Sequence, residues 1–123
     1  MASKDQYTVL VAEDDFLLAE YLSASLVAAG LRVAGPARDV AAALQVAETS
    51  QLDFAVLDVG LASGSAAPVA DILRRRRIPF ALTTGISRSA LPRDLAVEER
   101  WEKPFDAAAL AADIRRRLYA DAA

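Results

Sequence analysis

The chain has 123 residues, 54% of them hydrophobic and 25% charged, with a formal net charge of −3 and neither cysteine nor histidine. That size predicts one domain over 1–123, and the missing cysteine and histidine exclude zinc fingers, thiol catalysis, Ser-His triads and a phosphohistidine carried by the chain itself. The acidic balance speaks against a nucleic-acid partner, no apolar run reaches the length of a membrane span, and residues 1–6 lack the apolar stretch of a secretory signal, so a cytoplasmic protein is expected.

Short β-rich runs alternate with stretches of helical spacing. The first run, residues 7–12, is followed by a stripe at Leu18, Leu22, Leu26 and Ala29, with Gly30 placed to end that helix. A second run at 31–34 leads to Asp39, an N-cap for a helix reaching about Thr49. The third, 54–57, is Phe-Ala-Val-Leu without a polar break, the pattern of a strand buried on both faces of a parallel sheet. A helix over 67–76 comes next, then a run at 80–83. Residues 86–99 carry Pro92 and predict a short or irregular fourth helix. A weak strand at 100–102 precedes a last helix, capped by Asp106 and striped by Leu110, Ile114 and Leu118. Repeated β-α units imply one parallel sheet with helices on both faces, an α/β three-layer sandwich.

In an open parallel sheet, ligands bind beyond the carboxyl ends of the strands. Glu13-Asp14-Asp15 follow the first run, Asp58 the third, Thr83-Thr84-Gly85 end the fourth, and Lys103-Pro104 follow the fifth. Clustered carboxylates repel by about 4 kcal/mol per pair at 4 Å and an effective dielectric of 20, so a cation is needed among them. A hard divalent ion, Mg²⁺, suits oxygen ligands, and Lys103 supplies a second positive charge. An aspartate so flanked is equipped to attack phosphorus and form an acyl phosphate.

The set Glu13-Asp14, Asp58, Thr84 and Lys103-Pro104, in this order, resembles the receiver domain of two-component response regulators over about residues 7–118. The resemblance implies a flavodoxin-like (βα)5 fold with strand order 2-1-3-4-5. It makes Asp58 the phosphoacceptor, taking a phosphoryl group from a histidine kinase or histidine phosphotransfer protein. Glu13, Asp14, Asp58 and the backbone carbonyl of Gly60 would hold Mg²⁺. Thr84 and Lys103 would bind phosphoryl oxygens, and the Lys103–Pro104 bond is often cis in the family. The chain would then be a phosphorelay component and not an enzyme, apart from loss of its own phosphoryl group. Pro68-Val69-Ala70-Asp71 and Ile78-Pro79-Phe80 resemble a mostly single-domain subgroup with a Phe-Ala-Thr-Gly-x-Tyr motif. The matching stretch here is Leu82-Thr83-Thr84-Gly85-Ile86-Ser87, without either aromatic.

The family's usual aromatic three residues before the lysine is Arg100 here. With both aromatics missing, the segment from Thr84 to about Pro92 is expected to carry the response. The partner-binding face would be the fourth helix, fifth strand and last helix (α4-β5-α5 in the family's order), beside Trp101, on a monomer or weak homodimer. Lys4 and Lys103 are the only lysines among 14 basic residues, which marks Lys103 out. The runs Arg74–Arg77 and Arg115–Arg117 read as solvated helix ends favoured by the helix dipole. Two alternatives are a Mg²⁺-dependent phosphohydrolase, which lacks its Asp-x-Asp motif here, and a receiver-like interaction module independent of phosphate.

Overall fold

The structure, a computed structural model, describes residues 6–61, 63–85 and 99–122. In chain order the elements are β1 (Thr8–Ala12), α1 (Phe16–Ala28), β2 (Arg32–Ala37), α2 (Val40–Thr49), β3 (Phe54–Asp58), β4 (Gly60–Leu61), β5 (Gly64–Ser65), α3 (Ala67–Arg75), β6 (Phe80–Thr84), β7 (Arg100–Glu102) and α4 (Ala107–Ala122). Five strands form a parallel sheet in the order β2-β1-β3-β6-β7, the expected flavodoxin-like arrangement. β4 and β5 make a small antiparallel ribbon directly after β3. The segment expected to hold the fourth helix, and with it most of the 84–92 loop, lies outside the described residues.

The sheet divides two apolar layers by simple alternation. Leu10, Ala12, Ala55, Leu57, Phe80 and Leu82 face Ala43 and Ala47 of α2 and Val69, Ala70 and Leu73 of α3. Val9, Val11, Phe54, Val56 and Ala81 face Leu22 and Leu26 of α1 and Leu110, Ala111 and Ile114 of α4. β3 and β6 are buried along their whole length, as their unbroken apolar runs predict.

The helix boundaries follow their capping residues. Asp15 accepts from the Leu18 amide at 3.0 Å, Asp39 from the Ala42 amide at 2.8 Å, and Asp106 from the amides of Ala108 and Ala109. Gly30, at φ 87°, follows α1, and the Leu31 amide returns to the Leu26 carbonyl at 3.0 Å. The buried stripe of α1 is Ala19, Leu22 and Leu26, whereas Leu18 is only half-buried, so spacing alone picked one residue too early.

β2 runs three residues beyond the expected Ala34. Its pairing with β1 shifts between Leu10–Ala34 and Ala12–Ala37, so Gly35-Pro36 form a bulge at the sheet edge. Gly35 has φ 102°, and a Cβ there would lie 2.6 Å from the Ala37 amide nitrogen and 3.0 Å from the Val11 carbonyl. Only glycine fits this turn. The Gly35–Pro36 and Lys103–Pro104 peptide bonds are both cis. The bulge sets the Ala37 carbonyl against the Glu13 amide at 2.9 Å, which ties the loop after β1 to the end of β2.

Candidate functional site

Three sheet strands end in the groups that sequence spacing brings together. Glu13 and Asp14 follow β1, Asp58 closes β3, and Lys103 follows β7. Oxygens of Glu13, Asp14 and Asp58 all lie within 4.8 Å of one another, with Glu13 2% and Asp58 5% exposed and Asp14 half-buried. At that spacing each pair of charges repels by about 3 kcal/mol at an effective dielectric of 20. Lys103 offsets part of this, its ammonium sitting 3.0 Å from Asp58 and 3.0 Å from Glu13.

Backbone contacts fix these side chains. Glu13 accepts from the Asp15 amide at 2.9 Å, and Asp58 from the Gly60 amide at 3.3 Å. The Lys103 amide donates to the Thr84 carbonyl at 2.7 Å, continuing the β6–β7 pairing past the strand end. Thr83 and Thr84 are both buried at this edge. Of Gly60, the contact seen at Asp58 is the amide.

Burial pushes the Glu13 carboxyl up to about 7; hydrogen bonds from the Asp15 amide and Lys103 oppose the rise, and the nearby Asp58 charge adds to it. Burial alone would lower the Lys103 ammonium, but its hydrogen bonds to Asp58 and Glu13 outweigh this and raise it. Lys103 is therefore charged throughout the neutral range. The three carboxylates are a hard-oxygen donor set that could hold a metal ion, the ligand chemistry that a hard divalent cation takes.

Beside the acids, Leu18, Tyr21, Lys103, Pro104 and Phe105 line a cavity of about 460 Å³. Phe16, Leu17 and Tyr21, on the first turns of α1, are exposed by 50%, 80% and 50%. Arg38, just past β2, donates to the Asp14 carbonyl at 3.3 Å and lies 5.2 Å over the Phe16 ring. Sequence reasoning missed Arg38, since its partners are 22 and 24 residues away with no periodicity to link them. Arg100, which stands where the family has an aromatic, occupies β7 with its guanidinium paired to Glu102 at 2.6 Å. Its Nε is nonetheless buried without a hydrogen-bond partner. Trp101 packs on the layer formed by α1 and α4.

No helix among the described residues is long and apolar enough to cross a membrane. No protein-family model and no curated protein sequence matches the chain. Solved structures do. The receiver domain of the Francisella response regulator 1452 is 22% identical with a TM-score of 0.77, covering 95% of this chain and 99% of that one. The non-phosphorylated HemR receiver domain of Leptospira biflexa is 26% identical, TM-score 0.72, covering 90% and 91%. The receiver domain of the sensor histidine kinase PA1611 from Pseudomonas aeruginosa PAO1 is 24% identical, TM-score 0.74, covering 94% and 98%, and its structure has a magnesium ion coordinated in the active-site cleft. With a parallel sheet of the same order and an acidic cleft at its carboxyl edge, this chain has the fold of the receiver domains of two-component response regulators.

Proposed function

We propose that the chain is a phosphoacceptor of two-component signalling and that Asp58 receives the phosphoryl group. The observation that carries this reading is the contact of a buried aspartate with Lys103 at 3.0 Å inside a cluster of three carboxylates. Glu13, Asp14, Asp58 and the backbone carbonyl of Gly60 would hold Mg²⁺, which when bound neutralises the acids and the phosphoryl oxygens. In the transfer, an Asp58 oxygen bonds to phosphorus as the P–N bond to a donor histidine breaks, and the departing imidazole takes a proton from solvent. Lys103 shifts its hydrogen bond toward a phosphoryl oxygen, and Thr84 donates to another. The nitrogen leaving group comes from a histidine kinase or phosphotransfer protein, because this chain has no histidine.

Tyr21 lines the cavity beside the acids, and with the exposed Phe16 and Leu17 on the same turns of α1 it would seat that donor protein. The response would leave through residues 84–105 toward a protein partner at the family's α4-β5-α5 face, in a cytoplasmic setting. Incubation with phosphoramidate and Mg²⁺, followed by intact-mass measurement, tests the reading. One phosphoryl adduct is expected on the wild type, none in EDTA and none on Asp58→Asn. An Asp58→Asn protein labelled like the wild type would overturn it.

A further inference from the structure

We infer that Arg38 captures the phosphate end of an incoming anionic phosphodonor at the mouth of the cleft. The inference rests on the phosphoacceptor reading and adds to it a donor-binding residue outside the acid–lysine set.

An anionic donor approaching this edge meets Glu13, Asp14, Asp15 and Asp58 before it reaches phosphorus-bonding distance. Lys103 is already held between Glu13 and Asp58, at 3.0 Å from each. By sheet order, Lys103 follows the edge strand β7 on one side of the acidic loop, while Arg38 follows the other edge strand, β2. Arg38 thus stands across the cleft from the lysine.

Its geometry favours capture over a purely structural role. Among the described residues only one of its N–H donors is used, in the 3.3 Å bond to the Asp14 carbonyl, and a guanidinium carries five. The side chain is exposed, so the remaining donors are available to a ligand. Stacking 5.2 Å over Phe16 limits its freedom, and a planar fork held in place suits phosphate oxygens. The bulge at Gly35-Pro36 fixes where it sits, because Ala37 immediately before it is pinned to Glu13.

Acetyl phosphate is the probe, with labelling rates measured by intact mass at saturating Mg²⁺ over a range of donor concentrations. In Arg38→Ala the half-saturating concentration should rise roughly two- to fivefold, the effect of one exposed charge, and by more than the rate at saturation falls. Arg38→Glu should be worse and Arg38→Lys close to wild type. Added salt should narrow the differences, since an exposed charge is screened over a few ångströms at about 1 M. Mg²⁺ affinity separates capture from loop anchoring: removing a nearby cation should leave it unchanged or tighter, whereas a slackened Asp14 loop would weaken it. Equal half-saturating concentrations in wild type and Arg38→Ala, or weaker Mg²⁺ binding that Arg38→Lys fails to restore, would overturn the inference while leaving Asp58 labelling intact. Absence of labelling in the wild type would overturn the phosphoacceptor reading, and this inference with it.

Discussion

Lys103 and Asp58 stand 45 residues apart in the chain and 3.0 Å apart in space. The same ammonium also reaches Glu13 at 3.0 Å, so one lysine bridges the ends of β1 and β3 from beyond β7. Removing it should have opposite effects on stability and on metal affinity. Lys103→Ala leaves two buried carboxylates without their cation and should cost about 2–3 kcal/mol in EDTA. Mg²⁺ should bind it as well as or better than wild type and recover most of that loss. Thermal unfolding with and without Mg²⁺ measures both, and a variant as stable as wild type in EDTA would mean that Lys103 is an ordinary surface lysine.

Glu13 carries a pH dependence. Its carboxyl titrates near 7 in the folded chain, against an ordinary value of 4.5, chiefly because burial penalises the charge. Between those values the folded state binds more protons than the unfolded one. Stability in EDTA should therefore fall as pH rises from about 4.5 to 7 and level off above, by an amount on the order of 3 kcal/mol. Glu13→Gln removes the titrating group and should flatten this part of the profile. Denaturant unfolding at a series of pH values checks it, and identical slopes in the two proteins would exclude Glu13 as the source.

The bulge in β2 makes a third prediction. A methyl group at Gly35 would press on the Ala37 amide and the Val11 carbonyl while the backbone holds φ 102°. Gly35→Ala should destabilise by roughly 1–3 kcal/mol. Because Ala37 pins the Glu13 amide, Mg²⁺ affinity should fall as well. A variant that loses stability but keeps full Mg²⁺ affinity would uncouple the bulge from the cleft.

Much of this architecture is legible in the residues because the physics behind it is local. Residues 54–57 and 80–82 are unbroken apolar runs, and burial of β3 and β6 on both faces follows from that. Asp39 and Asp106 precede their helices and cap them. The acids and Lys103 were legible because a parallel sheet sends every strand's carboxyl end to one edge. The expected second run ends at Ala34, and only pairing with β1 makes Gly35-Pro36 a bulge that carries β2 on to Ala37. Leu18 fits a helical stripe as well as Ala19 does; the sheet that selects Ala19 for the core lies elsewhere in the chain. Arg38 depends on contacts with another loop, which spacing does not encode.

The exposed start of α1 allows docking to be separated from chemistry. Leu17 is 80% exposed and lies outside the acid–lysine set, while Phe16 and Tyr21 near it are half-exposed. An exposed apolar group on a helix surface contributes little to folding, so Leu17→Glu should shift stability by no more than about 0.5 kcal/mol. Labelling by a small phosphodonor needs no docking surface and should proceed at the wild-type rate. Transfer from a phosphorylated histidine phosphotransfer protein that labels the wild type should instead slow by about tenfold or more, since burying an unpaired charge in an apolar interface is costly. Loss of both activities would place Leu17 in the chemistry of the site, and loss of neither would move the donor's docking surface off α1.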